Sequence, residues 1–429
     1  MRGHSGAVEA VEAVEAVVVG AGHAGLSTSY YLSRAGLPHV VLEKGRVGET
    51  WRSKRWDSFT LVTPNWMCNL PGYPYAGDDP DGFLPRDGVV TYLERYAQSF
   101  RAPVREGVRV TSIKAREPHE SAPTAYVVET DQGTFETPVV VVATGFFEQP
   151  KVPAVAANLP PHILQVHSSQ YKNPDMLPPG AVLVVGSGQS GCQIAEELNI
   201  AGRQVYLCTG GAGRLLRRYR GKDATWWAIK AGLFEQTVDK LPSPRAKFAG
   251  NPHASGVRGG HTINLHRFAR DGIVLLGHFK GLEGGTRVLL AADLKENLAK
   301  ADKAAADIRQ AVDGFIQKAG LPIPPPDATN TDEYEGDDGY HQQEVLQLDV
   351  GEAGIGSVVW AAGFNFDYSF VRLPVFDEDG YPLQQRGVTA YRGLYFMGVH
   401  FQHKAKSDLF YGVGEDAEHV AAAIATQQP

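Results

Sequence analysis

Two stretches of this sequence place glycines where backbone chemistry can hold a phosphate. Gly20-Ala21-Gly22-His23-Ala24-Gly25 and Gly186-Ser187-Gly188-Gln189-Ser190-Gly191 both read G-x-G-x-x-G. In such a pattern the first glycine makes a tight turn and the second lets the backbone approach a pyrophosphate. The third lets a helix pack closely on a strand. The helix that follows offers unpaired N–H groups and a positive dipole end to the anion. The two copies then diverge. The strand after the first ends in Glu43, at the spacing of about 20 residues where an acid accepts hydrogen bonds from both ribose hydroxyls. That carboxylate would repel a 2′-phosphate, so FAD or NAD suits the first site and NADP does not. The strand after the second, 204–209, ends in Cys208 and Thr209, and a basic cluster follows: Arg214, Arg217, Arg218, Arg220 and Lys222. A guanidinium donates two parallel hydrogen bonds to a phosphate, so the second site is expected to take NADPH, with Arg214, Arg217 and Arg218 as ligands. Two nucleotide sites in one chain imply a hydride relay from NADPH to a bound flavin.

The elements that must position these residues form an α/β pattern. Residues 16–20 read as a buried strand, 24–36 as a helix ended by Gly36, and 39–43 as a second strand, a β-α-β unit of mononucleotide-fold length. Residues 45–85 read as loops with short elements, and 87–100 as a helix. Residues 108–115, 125–137 and 139–145 read as strands, with a hairpin turn around Asp131–Gly133. A second β-α-β unit spans 181–208. Residues 225–234 read as a helix, and 291–320 as one or two amphipathic helices. The stretch 321–339 is a polar, Pro-rich loop carrying an acidic run over 331–338. Strands at 357–363 and 393–398 and a helix from near Gly414 close the chain. The expected architecture is two Rossmann-like dinucleotide-binding domains, the NADPH domain inserted in the FAD domain. The expected boundaries are a disordered leader over 1–13, FAD-domain parts over 14–160 and 353–429, and the NADPH domain, with helical and loop insertions, over 161–352.

Composition narrows the alternatives. The 429 residues are 43% hydrophobic and 21% charged, with a net charge of −7. These are globular values, and no basic field favours nucleic acid. No apolar run reaches the roughly 18 residues of a membrane span. The glutamates Glu9, Glu12 and Glu15 exclude a secretory core at the N-terminus. The three cysteines, Cys68, Cys192 and Cys208, form no C-x-x-C pair, which argues against a zinc ribbon, a disulfide framework and a redox dithiol. A cytoplasmic setting follows. Cys192 reads as a packing residue. The spacing of His253, His261 and His266 fits no zinc site, and no metal is expected.

Further motifs carry a family resemblance. Gly48-Glu49-Thr50-Trp51-Arg52, "RWDSFTLVTP" at 55–64, "VVATGFFEQPKVP" at 141–153, "VVWAAGF" at 358–364 and the closing stretch 393–421 resemble, in order, the class B flavin monooxygenase group. This group comprises the flavin-containing, CzcO-like and YUCCA-like flavoproteins with two dinucleotide-binding domains. Within it the chain is most similar to the flavin oxidoreductases of nitrilase-containing gene clusters. The resemblance adds Lys44, Gly48, Thr50, Trp51, Arg52, Asp57, Thr63, Val110, Thr144, Gly145, Ala362, Gly363 and Gly398 to the cofactor-binding set. It implies that NADPH reduces FAD and that dioxygen then forms a C4a-(hydro)peroxyflavin. That species oxygenates a small organic substrate at nitrogen, sulfur or a carbonyl. Asn65 is the catalytic candidate, as a hydrogen-bond donor to the peroxide or to NADP⁺; a turn asparagine after Pro64 is its other reading. The monooxygenase signature F-x-G-x-x-x-H-x-x-x-(Y/F) survives only in His167 and Tyr171, with Pro161 and Ile163 at its first positions. These two are expected to order the domain linker. An NADPH oxidase or a dehydrogenase with another acceptor, and a non-catalytic flavin redox sensor or accessory subunit, are the competing functions. A homodimer is left open.

Overall fold

Runs of valine build the centres of two sheets, one mainly and one wholly parallel. The computed structural model describes residues 11–116, 125–248, 253–322, 325 and 336–427. The first sheet has seven strands in the order Gln384–Gln385, Val388–Thr389, Leu394–Phe396, Val140–Val142, Val17–Val19, Val40–Glu43 and Val104–Glu106. Its five strands from Leu394–Phe396 to Val104–Glu106 run parallel. The second sheet has five strands, all parallel, in the order Leu164–His167, Ile355–Trp360, Ala181–Val185, Val205–Cys208 and Val274–Leu276. Central strands such as Val17–Val19 and Ala181–Val185 are buried throughout. Helices and loops cover both faces of such sheets, so their strands are continuously apolar instead of alternating.

The two sheets repeat one plan. In each, a G-x-G-x-x-G turn leads from the central strand into a helix of 12 residues, His23–Arg34 or Gln189–Ile200. Both helices stop two residues before a left-handed glycine, Gly36 (φ +69°) and Gly202 (φ +81°), which ends a helix without the Cβ penalty. Each sheet also carries an antiparallel excursion. The first is Val110–Ala115, Tyr126–Thr130 and Gly133–Thr137. The second is Phe279–Glu283, Arg287–Leu290 and Gln347–Asp349, which the sequence reading did not separate from loops. The 26-residue helix Leu294–Ala319 is continuous and ends at left-handed Gly320. The C-terminal helix Val413–Gln427 packs on His23–Arg34.

Two expectations need correction. Val11–Ala13 is not part of a leader: it pairs in parallel with Gly133–Thr137, and Glu12 takes a bidentate bond from Arg105 at 2.6 Å. Pairing with a distant strand leaves no local signal, and a glutamate every third residue looks helical. Residues 1–10 lie outside the described residues, as do 331–335 of the acidic run. The boundary at 353 is also displaced. Ile355–Trp360 completes the second sheet between Ala181–Val185 and Leu164–His167, so the chain returns to the first sheet only after Gly363.

Candidate functional site

The two glycine turns are built alike, and their glycines divide into two kinds. A Cβ on Gly20 would lie 2.6 Å from the Ala143 carbonyl oxygen, and one on Gly25 would lie 1.9 Å from that of Gly20. The matching values for the second turn are 2.6 Å from Gly186 to the Ala361 oxygen and 1.8 Å from Gly191 to the Gly186 oxygen. These four glycines are required by the fold itself. A Cβ on Gly22 or Gly188 would meet no protein atom within 4 Å. The middle glycines therefore face open space, at the helix N-terminus where a pyrophosphate is held. Ala143 and Ala361 begin the two ATG-type motifs, so these copies occupy equivalent places beside the two turns. Their glycines, Gly145 (φ +69°) and Gly363 (φ +85°), also have no protein atom within 4 Å of a Cβ position. The Thr144 hydroxyl is buried without a partner among the described residues. An open glycine cradle beside an unsatisfied hydroxyl fits a nucleotide at the first site.

The strand ends distinguish the sites. Glu43 is buried at 7% exposure; its Oε2 accepts from the Ala21 N–H at 2.8 Å and its Oε1 from the Gly45 N–H at 2.9 Å. Burial raises its pKa, against the opposing pull of those two N–H bonds. In the second site the tie has the reverse polarity. The Ser187 hydroxyl accepts from the Gly210 N–H at 2.8 Å, and Thr209 donates to the Leu276 carbonyl at 2.7 Å. The residue after each middle glycine is anchored from afar. His23 Nε2 lies 3.0 Å from the Asp408 carbonyl oxygen, and the Gln189 carboxamide bonds the backbone of Ala254. Burial lowers the His23 pKa, favouring a neutral ring.

Several expected residues gather at the first cradle. The Gly48 N–H donates to the Ala21 carbonyl at 3.2 Å, and a Cβ on Gly398 would lie 2.6 Å from that of Ala24. Trp51 packs on Phe410, which packs on His23 with ring centroids 4.9 Å apart. The Val108 N–H binds the Glu43 carbonyl, which brings the strand opened by Val110 beside the ribose end. Others are engaged by protein. Lys44 pairs with Glu148 and Arg52 with Glu94. Asp57 accepts from Arg86 and Asn173, both at 2.7 Å. Thr50 and Thr63 are half-buried. Asn65 is buried; its Nδ2 donates to the Asp79 carbonyl at 2.9 Å, and its Oδ1 has no partner among the described residues. That geometry pins the 79–82 turn, and it supports the turn reading of Asn65 over the catalytic one.

The basic cluster departs most from expectation. Arg217 is fully buried: it pairs with Asp223 at 2.6 Å, donates to the Val62 carbonyl at 2.7 Å and stacks on Phe83 at 5.0 Å. Its fork joins the second domain to the 60–64 segment and is not available to a phosphate. Arg214 is buried against Asp302 at 2.9 Å. Arg218 donates to the carbonyls of Gly259 and Gly260, and Arg220 pairs with Asp313. Arginines clustered in sequence diverge here because each faces a different acid or carbonyl after folding. The sequence reading missed two groups near the second strand end. A Cβ on Gly210 would lie 3.4 Å from the His278 ring, and one on Gly211 would lie 3.6 Å from Lys300. Their positions in the chain, far from 209, gave no signal.

The remaining motifs are structural. His167 Nε2 lies 3.0 Å from the Gly363 carbonyl, and Tyr171 donates to Glu197 at 2.8 Å. Glu197, on the second fingerprint helix, also accepts from Ser58 at 2.6 Å. These bonds tie the linker and the 53–59 segment to the second domain. His261 binds Glu196 and His266 binds Asp302, while His253 is buried with its pKa lowered to about 4 by desolvation. All three cysteines are free and buried, and burial raises their pKa values, to about 12 for Cys68 and Cys208. Among the described residues no helix is long and apolar enough to cross a membrane.

Comparison with known proteins agrees with this architecture. The pyridine nucleotide-disulphide oxidoreductase family matches residues 17–223. A CzcO-like oxidoreductase of Geobacillus kaustophilus is 33% identical over 407 residues, covering 94% of this chain and 96% of its own. The indole-3-pyruvate monooxygenase YUCCA1 of Oryza sativa subsp. japonica is 32% identical over 184 residues, covering 42% of this chain and 44% of its own. The solved flavin-containing monooxygenase of Stenotrophomonas maltophilia superimposes with a TM-score of 0.62 at 20% identity, over 97% of this chain and 99% of that one. The chain therefore belongs to the CzcO-like oxidoreductases, within the class B flavin monooxygenase group of flavoproteins built on two dinucleotide-binding folds.

Proposed function

We propose that the chain is an NADPH-dependent flavin monooxygenase that oxygenates a small organic molecule at nitrogen, sulfur or a carbonyl. FAD sits at the first cradle and NADPH at the second. The observation that carries this reading is the pair of matched cradles with opposite strand ends. Glu43 suits two ribose hydroxyls, whereas Thr209 and Gly210 present no acid to repel a 2′-phosphate. Their accessibility differs in the same sense. Gly188 is exposed, which suits a nucleotide that exchanges at each turnover; Gly22 and His23 are only half-exposed, which suits a retained one.

Bound flavin supplies the hydride acceptance and the oxygen activation. The chain's own groups bind and orient. Gly22 and Gly188 admit the two pyrophosphates to the helix N-termini. His167, Tyr171 and Glu197 hold the linker so that both cradles keep their separation. Disulfide exchange at the chain's own thiols is disfavoured, because the thiolate is the nucleophile and burial suppresses it at all three cysteines. The medium is taken as cytoplasmic, in keeping with free thiols.

The test is oxygen uptake and NADPH oxidation by FAD-loaded protein, with amine, sulfide and ketone substrates followed by mass spectrometry. Incorporation of one ¹⁸O atom from ¹⁸O₂ into a product supports the reading. NADPH consumption that ends wholly in hydrogen peroxide with every substrate favours the oxidase. Protein that binds no FAD overturns both.

A further inference from the structure

One charged group near the first cradle is explained by neither fingerprint. Arg55 follows the short helix Glu49–Lys54. Its guanidinium carbon lies 4.7 Å from the ring centre of Phe147, 5.3 Å from Trp51 and 5.5 Å from Phe59. Its main chain is pinned, since Lys172 Nζ donates to the Arg55 carbonyl at 3.0 Å. Its side chain is not. Nε is buried without a partner, and no acid among the described residues acts on the charge. The residue keeps part of its surface open, yet burial lowers its pKa to about 10. Together these describe a cation set deep in the protein and open on one side.

Its neighbours sharpen the point. Lys44, Arg52 and Arg86 each have a carboxylate partner: Glu148, Glu94 and Asp57. A buried cation without a counter-charge is costly, so a guanidinium set among aromatic rings with no acid acting on it among the described residues is suited to receive an anion. Aromatic faces stabilise the guanidinium through its π-surface, and its in-plane N–H edges stay available for the parallel bonds that carboxylates and phosphates accept. The position suits this. Phe147 lies two residues beyond Gly145 and packs on Phe364, just after Gly363, with ring centroids 5.3 Å apart. Trp51 leads through Phe410 to His23 at the first cradle. Arg55 therefore stands where both domain crossings meet the first cradle.

We infer that Arg55 is an oxyanion anchor at this junction. It donates to either a carboxylate on the organic substrate or a phosphate of the incoming nucleotide. The inference rests on the proposed two-nucleotide reading and specifies one binding group within it. The test uses FAD-loaded Arg55→Gln and Arg55→Lys variants with two probes. NADPH affinity is read from the concentration dependence of anaerobic flavin reduction, and phenylacetate affinity from flavin fluorescence. Arg55→Gln is expected to weaken one probe at least tenfold, with Arg55→Lys intermediate, because lysine keeps the charge and loses the fork. Weakening of NADPH assigns the phosphate; weakening of phenylacetate alone assigns the carboxylate. FAD-loaded variants that bind both probes like the wild type overturn the inference, as does a wild type blind to phenylacetate whose NADPH affinity is unchanged in both variants. Should Arg55→Gln not fold, unchanged affinities in Arg55→Lys overturn it equally. A wild type that holds no FAD, or that NADPH does not reduce, removes the two-nucleotide reading instead.

Discussion

The first and second glycine turns share a backbone device and differ in what faces it. Both use an outer pair of glycines to let main chain touch main chain, and a middle glycine that touches nothing. Both cross-tie the turn to the neighbouring strand end at 2.8 Å, but the direction reverses. Glu43 accepts from the Ala21 N–H, whereas the Ser187 hydroxyl accepts from the Gly210 N–H. A carboxylate at the strand end must be stabilised by donors and presents negative charge. A hydroxyl on the turn frees the strand end of charge. The lesson is that one residue exchange at each end of a tie sets the charge that the strand end presents, while the glycine scaffold stays fixed.

The strongest test of this contrast lies in the second site. Arg217→Ala breaks a fully buried ion pair, so it is expected to cost about 3–5 kcal/mol of stability, read as a lower denaturation midpoint. NADPH-over-NADH preference in the surviving protein should be unchanged. A stable variant with lost preference would restore Arg217 as a phosphate ligand.

Next come the glycines. Gly25→Ala and Gly191→Ala force a Cβ into a carbonyl oxygen, and each is expected to cost about 1–3 kcal/mol or more through overpacking. Gly22→Ala and Gly188→Ala should leave thermal stability of the apoprotein nearly intact. The first should lose FAD and the second NADPH, measured by flavin content and by reduction kinetics. Equal destabilisation by all four would remove the distinction between scaffold and cradle.

Glu43→Gln keeps the shape and removes the charge. Hydrogen bonds to charged groups contribute about 1.5–3 kcal/mol, so FAD affinity is expected to fall by about tenfold or more by titration, with NADPH binding unaltered. Glu43→Arg should abolish FAD retention.

The smallest effect concerns pH, and only the first domain. His400 Nδ1 lies 2.7 Å from Asp408 Oδ2, next to the backbone carbonyl that anchors His23. Burial lowers the His400 pKa, but the bond and charge of Asp408 outweigh it and the net shift is upward. A raised folded-state pKa stabilises below the unfolded value, roughly 6.5, and that contribution is lost as pH rises through the folded value. The melting-temperature gap between wild type and His400→Asn should therefore be widest in mild acid and shrink as pH rises. A gap that widens with pH would contradict the pairing.

Much of this was legible in the sequence. The valine-rich runs at 17–19, 140–142 and 181–185 marked strands, and the glycine spacing marked both turns. The long amphipathic stretch ending in Gly320 marked its helix. What escaped were elements with no local pattern. The short strand Val104–Glu106 exists only as a partner of Val40–Glu43, and the sheet at 279–290 and 347–349 forms from pieces separated by a long helix. The second sheet's excursion repeats the first's position in the chain, so the internal duplication held a signal that periodicity alone did not expose.

Sequence by itself determined the two glycine turns and the acid at only one of their strand ends, because glycine, acid and spacing act through the adjacent backbone. Tertiary structure alone decided which charges remain available. Arg217, in a cluster that looked poised for phosphate, is consumed by Asp223 and Val62; Arg55, inconspicuous in a loop, is left open among three rings. The reason is physical. A cation's role depends on which acids and carbonyls come within about 4 Å of it, and those partners lie far away in the chain.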